Sequence, residues 1–488
     1  MGSREKMTGF TEKRTSLAAA QQGAGLCRDR IRQLLDQDSF VELDSLVESR
    51  GLNFGFSRPP VSGDGVVTGY GTIDGRLVYL AAQDPSVYGG SIGEMHAAKI
   101  CKSIQLALSA QVPFIGLYDT GGTRIEEGII GLEGLGTLLA TLHSATGEIP
   151  LIAAVFGPCA GGAAFAAAIS DFVLMNEKGS GIFMNGPMVT TAVEGKSIEP
   201  SEIGGARIHA EQTGLASFTA ADEPGMIAGI RELLTYLPDC AAGFTIPGTP
   251  LDDPNRTSER LDVIAAELDS GYDIQEIIRE TFDSSSFLET SAGFSPGLVT
   301  GLARLNGQVV GVLASKATRM DAAQSRKAVR LIDLCDRFAL PLITLTDAEG
   351  YIIGIDAEKN GLVQAGAELM QAMLCLSVPR ISVIIGKAIG TAYLTLSSKS
   401  CGADLVYAWP TAEIAVANPD TAAHIIYRKE IAAATDPAAA RNDFVQRYSN
   451  EIASPYVAAS LGAVDEVIRP SATRPRLVSA LEMLTTAY

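Results

Sequence analysis

Gly157-Pro158-Cys159-Ala160-Gly161-Gly162-Ala163-Ala164 follows an apolar, strand-like run, Pro150-Leu151-Ile152-Ala153-Ala154-Val155-Phe156. It opens a run of small residues, Phe165-Ala166-Ala167-Ala168-Ile169-Ser170-Asp171, that reads as a helix. A strand that turns on glycines into a helix leaves the first helical N–H groups without intrahelical acceptors, with the helix dipole behind them. With no side chains at Gly161 and Gly162, a ligand oxygen can approach that backbone closely. The pattern is that of an oxyanion site. A tight turn packed against a sheet has the same composition, and the stretch alone does not separate the two.

The arrangement occurs twice. Gly386-Lys387-Ala388-Ile389-Gly390-Thr391-Ala392-Tyr393 again follows a strand-like run, Arg380-Ile381-Ser382-Val383-Ile384-Ile385. Pro113-Phe114-Ile115-Gly116-Leu117-Tyr118-Asp119 is echoed by Pro341-Leu342-Ile343-Thr344-Leu345-Thr346-Asp347, 228 positions on, and Pro150 by Pro379, 229 positions on. Lys99 precedes Asp119 by 20 residues, as Lys327 precedes Asp347. Asp119-Thr120-Gly121-Gly122 faces Asp347-Ala348-Glu349-Gly350, and Asp171-Phe172-Val173-Leu174 faces Asp404-Leu405-Val406-Tyr407. A near-constant offset across several landmarks indicates two copies of one α/β domain, each with its own backbone anion site.

The 488 residues suffice for two such domains, each with a sizeable core. A net charge of −18 argues against a nucleic-acid groove and against an anionic membrane surface. The seven cysteines (Cys27, Cys101, Cys159, Cys240, Cys335, Cys375 and Cys401) are scattered, odd in number and without CxxC spacing, as expected of free thiols in a reducing compartment. No metal site is expected. No signal peptide and no span of about 18 apolar residues is seen, so a cytoplasmic location, alternatively peripheral to a membrane complex, is expected.

Taken in order, the polar residues 1–23 read as a flexible arm and 26–35 as a helix. A loop with Arg58-Pro59-Pro60 leads to a strand, a hairpin turn at Asp74-Gly75 and the strand 76–82. Tyr88-Gly89-Gly90-Ser91 precedes a helix over 92–108. Gly121-Gly122-Thr123-Arg124 is a glycine turn in which Arg124 either meets an anionic ligand or pairs with Glu126 or Glu127, the pairing being favoured. The proline-rich segment Phe244-Thr245-Ile246-Pro247-Gly248-Thr249-Pro250-Leu251-Asp252-Asp253-Pro254 divides the chain into domains 1–248 and 249–488. The second half then shows a helix over 274–282, a hairpin turning at Asn306-Gly307, a helix over 324–340, a loop to 361, a helix to 376 and a short strand over 409–416.

An enzyme acting beside a thioester carbonyl must hold an enolate oxygen, and two backbone donors in a dry pocket do so. Two pockets suggest two carbonyl-containing reactants. Histidine occurs only at positions 96, 143, 209 and 424, none in either turn, and no Gly-x-Ser-x-Gly elbow is present. Cys159 has no histidine beside it and reads as a small buried hydrophobe. A base arriving with a cofactor fits this lack of side-chain machinery.

Gly63-Asp64-Gly65-Val66-Val67-Thr68-Gly69, Tyr88-Gly89-Gly90-Ser91, the run from Asp119 through Arg124 to Gly128, Gly157-Pro158-Cys159-Ala160-Gly161-Gly162 and Tyr407-Ala408-Trp409-Pro410-Thr411-Ala412-Glu413 together resemble the carboxyltransferase subunits (β-type) of biotin-dependent acyl-CoA carboxylases and decarboxylases, the propionyl-CoA carboxylase β and methylmalonyl-CoA decarboxylase α types above all. The resemblance runs over about 28–476 and implies two tandem crotonase-like domains, the N-terminal one on the acyl-CoA side and the C-terminal one on the biotin side. It implies that the amides of Gly161 and Gly162 hold the thioester oxygen of a short acyl-CoA. Gly89, Gly90, Gly121, Gly122, Arg124 and Ala160 would surround that substrate. It further implies that the amides of Thr391 and Ala392, with Gly390 and Ala388 beside them, hold the ureido oxygen of carboxybiotin, whose nitrogen serves as the base. Biotin would come on a separate biotin carboxyl carrier protein. A biotin carboxylase subunit or a membrane decarboxylase β subunit would be a further partner, and the chain would form at least a dimer, as in the hexamers of related enzymes.

The chain departs from the family pattern at three places. Thr391 replaces the second glycine of Gly-Gly-Ala, Ala348-Glu349-Gly350-Tyr351 stands for Val-Pro-Gly-Phe, and an Asn-x-Pro near Ala314-Ser315-Lys316 is absent. The α subunit of a sodium-pumping decarboxylase is an alternative with the same chemistry run in reverse. A biotin-independent hydratase or isomerase would need carboxylates beside the turn, and the first turn contains none. A scaffold without activity would keep the fold alone.

Overall fold

The computed structural model describes residues 3–21, 25–50, 60–241 and 252–485. Arg58-Pro59 and residues 244–251 of the proline-rich segment lie outside them. Two compact units are present, Met1–Phe244 and Thr245–Tyr488.

In the first unit the strands are β1 (Val41–Leu43), β2 (Val66–Ile73), β3 (Arg76–Gln83), β4 (Phe114–Thr120), β5 (Leu151–Ala160), β6 (Phe172–Asn176), β7 (Gly181–Phe183) and β8 (Phe218–Ala220). They are ordered β1-β2-β3-β4-β5-β6-β8, with β7 paired to β5 alone. The second unit holds β9 (Leu288–Thr290), β10 (Leu298–Leu305), β11 (Gln308–Ser315), β12 (Thr318–Met320), β13 (Leu342–Tyr351), β14 (Arg380–Ile389), β15 (Leu405–Ala408), β16 (Glu413–Ala415) and β17 (Glu466–Val467). Their order is β9-β10-β11-β13-β14-β15-β17, with β16 on β14 and β12 on β13. Strand for strand the two sheets match, the additional β12 aside, so the duplication inferred from the landmarks extends to the whole topology.

Each sheet begins with an antiparallel hairpin and continues parallel through helical crossovers. Both hairpin turns place two residues at positive φ, Asp74 (51°) with Gly75 (80°) and Asn306 (52°) with Gly307 (81°), as a two-residue type I′ connection requires. The central strands are buried, as expected where helices cover both faces of a parallel sheet; every residue of β4 is buried. Helix Glu94–Ala110 turns Ala97, Ile100, Cys101, Ile104 and Ala107 onto this sheet. In the second unit Trp409 is fully buried, and its indole N–H donates to Thr473 Oγ1 at 3.0 Å.

Lys99 and Lys327, singled out by their spacing, are buried equivalents. Lys99 donates to the Gly63 carbonyl at 2.9 Å and to that of Val66, and Lys327 donates to the Phe294 carbonyl at 2.7 Å. Each ties a sheet-facing helix to the turn ahead of its hairpin. Burial pushes both ammonium groups down to about 8.

Several boundaries differ from the pattern reading. Within the stretch read as a flexible arm, Ser3–Gln21 forms a helix. The helix expected over 92–108 spans Glu94–Ala110, because Gly89 and Gly90 have positive φ and Ser91 is extended, which delays its start. The helix expected over 324–340 spans Ala322–Arg337: Asp321 accepts from the Gln324 amide at 2.7 Å while Gln324 accepts from the Asp321 amide at 3.1 Å, a reciprocal cap that sets the first turn. Ile355–Lys359 forms a short helix inside the expected loop to 361. Of residues 409–416 only Glu413–Ala415 is strand, and Trp409 to Thr411 turn into it.

Candidate active site

The strands that deliver both glycine turns are longer than the apolar runs suggested. β5 continues through Gly157-Pro158-Cys159-Ala160, and β14 through Gly386-Lys387-Ala388-Ile389. Each sheet splits here. The β4/β5 register slips between Tyr118 and Thr120, and the β13/β14 register between Thr346 and Ala348. Beyond the slip, β5 leaves β6 and pairs with β7, while β14 leaves β15 and pairs with β16.

A buried carboxylate sits under each split. Asp347 accepts from the Lys387 amide at 2.7 Å and from the Tyr272 hydroxyl at 2.8 Å, and its own amide donates to Ser315 Oγ at 2.7 Å. Burial holds its carboxyl above the usual range, and burial with the Asp347 charge raises the Tyr272 phenol. Asp119 pairs with Arg30 at 2.9 Å; Arg30 also binds Glu223 at 2.6 Å and lies 4.5 Å over the Phe156 ring. Gly157 and Gly386 are the contact points, since a Cβ on either would run into the carboxylate of Asp119 or Asp347.

The turns themselves correspond at Gly161 (φ 63°) and Gly390 (φ 60°), left-handed conformations that glycine alone adopts without strain. The N–H of Gly161 donates to the Phe183 carbonyl at 2.9 Å. This amide, expected from the sequence to face a ligand, is therefore engaged by β7. The next two, Gly162 and Ala163, stand at the first helical positions of Gly162–Ile169, where no intrahelical carbonyl receives them. Thr391 and Ala392 occupy the matching positions after Gly390 in helix Gly390–Ser397. A Cβ on Gly162 would meet Leu135 Cδ2, the end of a flexible side chain that would have to shift.

Four of the expected substrate-side glycines come together beside the first turn. The Gly121 amide donates to the Gly89 carbonyl at 3.0 Å and the Ile92 amide to that of Gly122 at 2.8 Å. A Cβ on Gly122 (φ 97°) would lie 2.7 Å from the Ala160 carbonyl oxygen, and one on Gly90 would strike the Asp119 carbonyl. Gly89, Gly90, Gly121, Gly122 and Ala160 thus form one continuous backbone surface.

The Arg124 side chain does not join that surface. It is 1% exposed, paired with Asp64 at 2.6 Å and Glu127 at 2.8 Å, donates to the Ser91 carbonyl at 2.7 Å, and lies 4.7 Å over the Tyr88 ring. The pairing with Glu127 follows the favoured sequence reading. Asp64 was missed, although it stands between Gly63 and Gly65 in a quoted motif, because nothing in a linear pattern ties it to a residue 60 positions away. Burial raises the Asp64 carboxyl despite Arg124. These contacts tie Arg124 to Tyr88 and Ser91.

Neither the histidine nor the cysteine near the first turn is poised as a base. His96 is fully buried between Gln83 and Asp64, and burial pushes its imidazole down to about 3, so it is neutral. Cys159 is 0% exposed and burial raises its thiol to about 12. Among the described residues no group of three or more His, Cys, Asp or Glu is placed to hold a metal.

In the second unit a cavity of about 830 Å³ opens beside Gly390 and Thr391, walled by Ile389, Leu394, Ile414 and Val416. A more polar cavity of about 610 Å³ adjoins it around Tyr272, Asp347 and Lys387, and Glu349 and Asn418 line both.

Comparison with known proteins gives the same picture throughout the chain. Residues 18–488 match the family model described as carboxyl transferase domain. The chain is 41% identical over 487 residues to a methylmalonyl-CoA decarboxylase subunit alpha of Veillonella parvula, covering 98% of this chain and 93% of that one. It is 40% identical over 467 residues to a propionyl-CoA carboxylase, carboxyltransferase subunit, of Haloferax mediterranei, covering 95% and 90%. Among solved structures, a transcarboxylase 12S crystal structure, described as a hexamer-assembling multienzyme core with methylmalonyl-coenzyme A and methylmalonic acid bound, superposes with a TM-score of 0.94 at 37% identity. That match covers 100% of this chain and 96% of the other. The expected pair of tandem crotonase-like domains is borne out by this likeness and by the matched sheets.

Proposed function

We propose, because this chain belongs to the carboxyl transferase domain family, that its two turns hold the carbonyl oxygens of the two reactants whose α-carbon and ureido nitrogen exchange a carboxyl group: that of a short acyl-CoA of the propionyl/methylmalonyl type at Gly162 and Ala163, and the ureido oxygen of biotin at Thr391 and Ala392. The chain is a carboxyltransferase enzyme of this type. The single observation that carries the assignment of the sites is the matched pair of split sheets, each ending in a left-handed glycine followed by unpaired first-turn helical amides.

The thioester oxygen gains negative charge when the bond at the α-carbon opens, and preorganised N–H dipoles at the end of a helix stabilise that charge without reorganising. The surface of Gly89, Gly90, Gly121, Gly122 and Ala160 gives the substrate backbone to lie against, with Arg124 holding the Tyr88–Ser91 loop from beneath. Biotin on a carrier protein, held at Thr391 and Ala392, would supply the ureido nitrogen at which the carboxyl group and the α-proton are exchanged. The 830 Å³ cavity fits a bicyclic ureido ring, with apolar walls and N–H donors at one end. Assembly into a homo-oligomer and engagement of a biotin carrier and a biotin carboxylase or decarboxylase partner belong to this reading. Among the described residues no helix is long and apolar enough to cross a membrane.

The test is incubation with methylmalonyl-CoA or malonyl-CoA and free biotin, following loss of the carboxyl group. Thr391→Pro then removes one donor within the first helical turn, where no intrahelical hydrogen bond is lost. The expected outcome is a fall in kcat of about 10²–10³-fold, the usual cost of one oxyanion donor. No turnover of any carboxylated acyl-CoA by the wild type would refute the reading.

A further inference from the structure

The two turns are matched in backbone and differ in the first residue past the left-handed glycine. Gly162 follows Gly161, and Thr391 follows Gly390. At Gly162 an added Cβ would meet Leu135 Cδ2, whereas Thr391 is exposed and lines the 830 Å³ cavity beside Gly390. The first copy therefore presents amides alone, and the second presents amides and a hydroxyl.

Helix geometry directs that hydroxyl. Every Cα–Cβ bond of an α-helix tilts toward the N-terminus, so a first-turn side chain leans to the end at which the unpaired N–H groups point. A threonine deeper in a helix can spend its hydroxyl on a carbonyl of the preceding turn. Thr395 does so, donating to the Ala392 carbonyl at 3.1 Å and to that of Thr391 at 3.3 Å. Thr391 Oγ1 has no hydrogen-bond partner among the described residues. The cations nearby face a carboxylate instead: Lys387 Nζ donates to Glu349 Oε1 at 2.6 Å, and Arg319 Nε lies 3.6 Å from Glu349 Oε2. As the bond from the ureido nitrogen to the carboxyl group opens, its electron pair stays on the ureido group and the oxygen gains charge. An O–H donor to a charged oxygen makes one of the stronger hydrogen bonds, and it acts where that charge develops.

We propose that the Thr391 hydroxyl is a third donor to the ureido oxygen, beside the amides of Thr391 and Ala392, and a catalytic group that the first turn lacks. This rests on the reading that the second turn takes biotin.

The probe is free biotin, isotope-labelled at the ureido carbon, on the full-length protein. Equilibrium dialysis gives its dissociation constant, and isotope-edited infrared difference spectroscopy gives the ureido carbonyl stretch, which a hydrogen bond to the oxygen lowers. Thr391→Val keeps the branched shape and removes the O–H. It is expected to weaken biotin about two- to tenfold, the usual net effect of one hydrogen bond, and to raise the stretch above that in the wild type. Thr391→Ser is expected to restore both. Thr391→Pro removes amide and hydroxyl together and is expected to weaken biotin more than Thr391→Val; should it not fold, the Val and Ser variants decide. A Val variant equal to the wild type in both readouts overturns the inference. If Thr391→Pro still weakens biotin in that case, the amide cradle stands and only the role of the hydroxyl falls. Weaker binding by Thr391→Val with an unmoved stretch, or a Ser variant no better than Val, marks a packing role and also overturns it. A wild type that binds no biotin removes the reading of the second turn and the inference with it, and the wild-type dialysis alone tells this outcome from the others.

Discussion

Replacing Arg124 by Met separates a buried clamp from a ligand contact. Asp64 and Glu127 are 0% and 4% exposed at the side chain, and both hydrogen-bond the same guanidinium nitrogen. Removing one partner of a buried ion pair typically costs about 3–5 kcal/mol, because the other charge is left in a medium that solvates it poorly. For a unit of this size roughly 2–4 °C are lost per kcal/mol, so the transition of the first unit should fall by about 6–20 °C. The deficit depends on pH. Burial already raises the Asp64 carboxyl above its unfolded value, and loss of the cation raises it further. A raised folded-state carboxyl loses stability as pH climbs from about 4 through its folded value. The deficit is therefore largest at neutral pH and narrows on acidification. Calorimetry of wild type and variant from pH 5 to 8, with KM for acyl-CoA measured alongside, checks this. An unchanged, pH-independent melting difference together with a tenfold higher KM would refute the clamp and make Arg124 a substrate contact.

The paired lysines give a second pH signature. With folded values of about 8 against an unfolded value near 10.4, the charged amine is the form that folding disfavours. Stability should then rise between pH 8 and 10.5 by an amount on the order of 3 kcal/mol per lysine. Urea unfolding of Lys327→Met should lack that part of the rise, and a parallel rise in the variant would count against it. Gly122→Ala and Gly350→Ala share a left-handed backbone, at φ 97° and 92°, and a strain cost of about 1–2 kcal/mol. Only at Gly122 would the added carbon stand 2.7 Å from a carbonyl oxygen, against 3.6 Å at Gly350. Gly122→Ala should therefore be the more destabilised of the two in thermal unfolding and should also lose CoA affinity; equal shifts would remove the steric argument.

The sequence by itself determined the duplication, the two I′ hairpins, the glycine turns and the spacing of the buried lysines. All of these are backbone properties written in local residue types: glycine where φ must be positive, apolar runs where strands are covered on both faces, and a constant offset because one domain was copied. Only the tertiary structure decided which amides remain free and which charged groups are used. Gly161 gives its N–H to Phe183, a partner that reaches it through β7, and Arg124 turns inward because Asp64 is brought to it from 60 residues away. The same holds at the second turn, where Lys387, Glu349 and Arg319 meet across three strands. Hydrogen-bond satisfaction and burial are set by segments distant along the chain, so a local pattern fixes where a donor lies but leaves open whether the fold has already taken it.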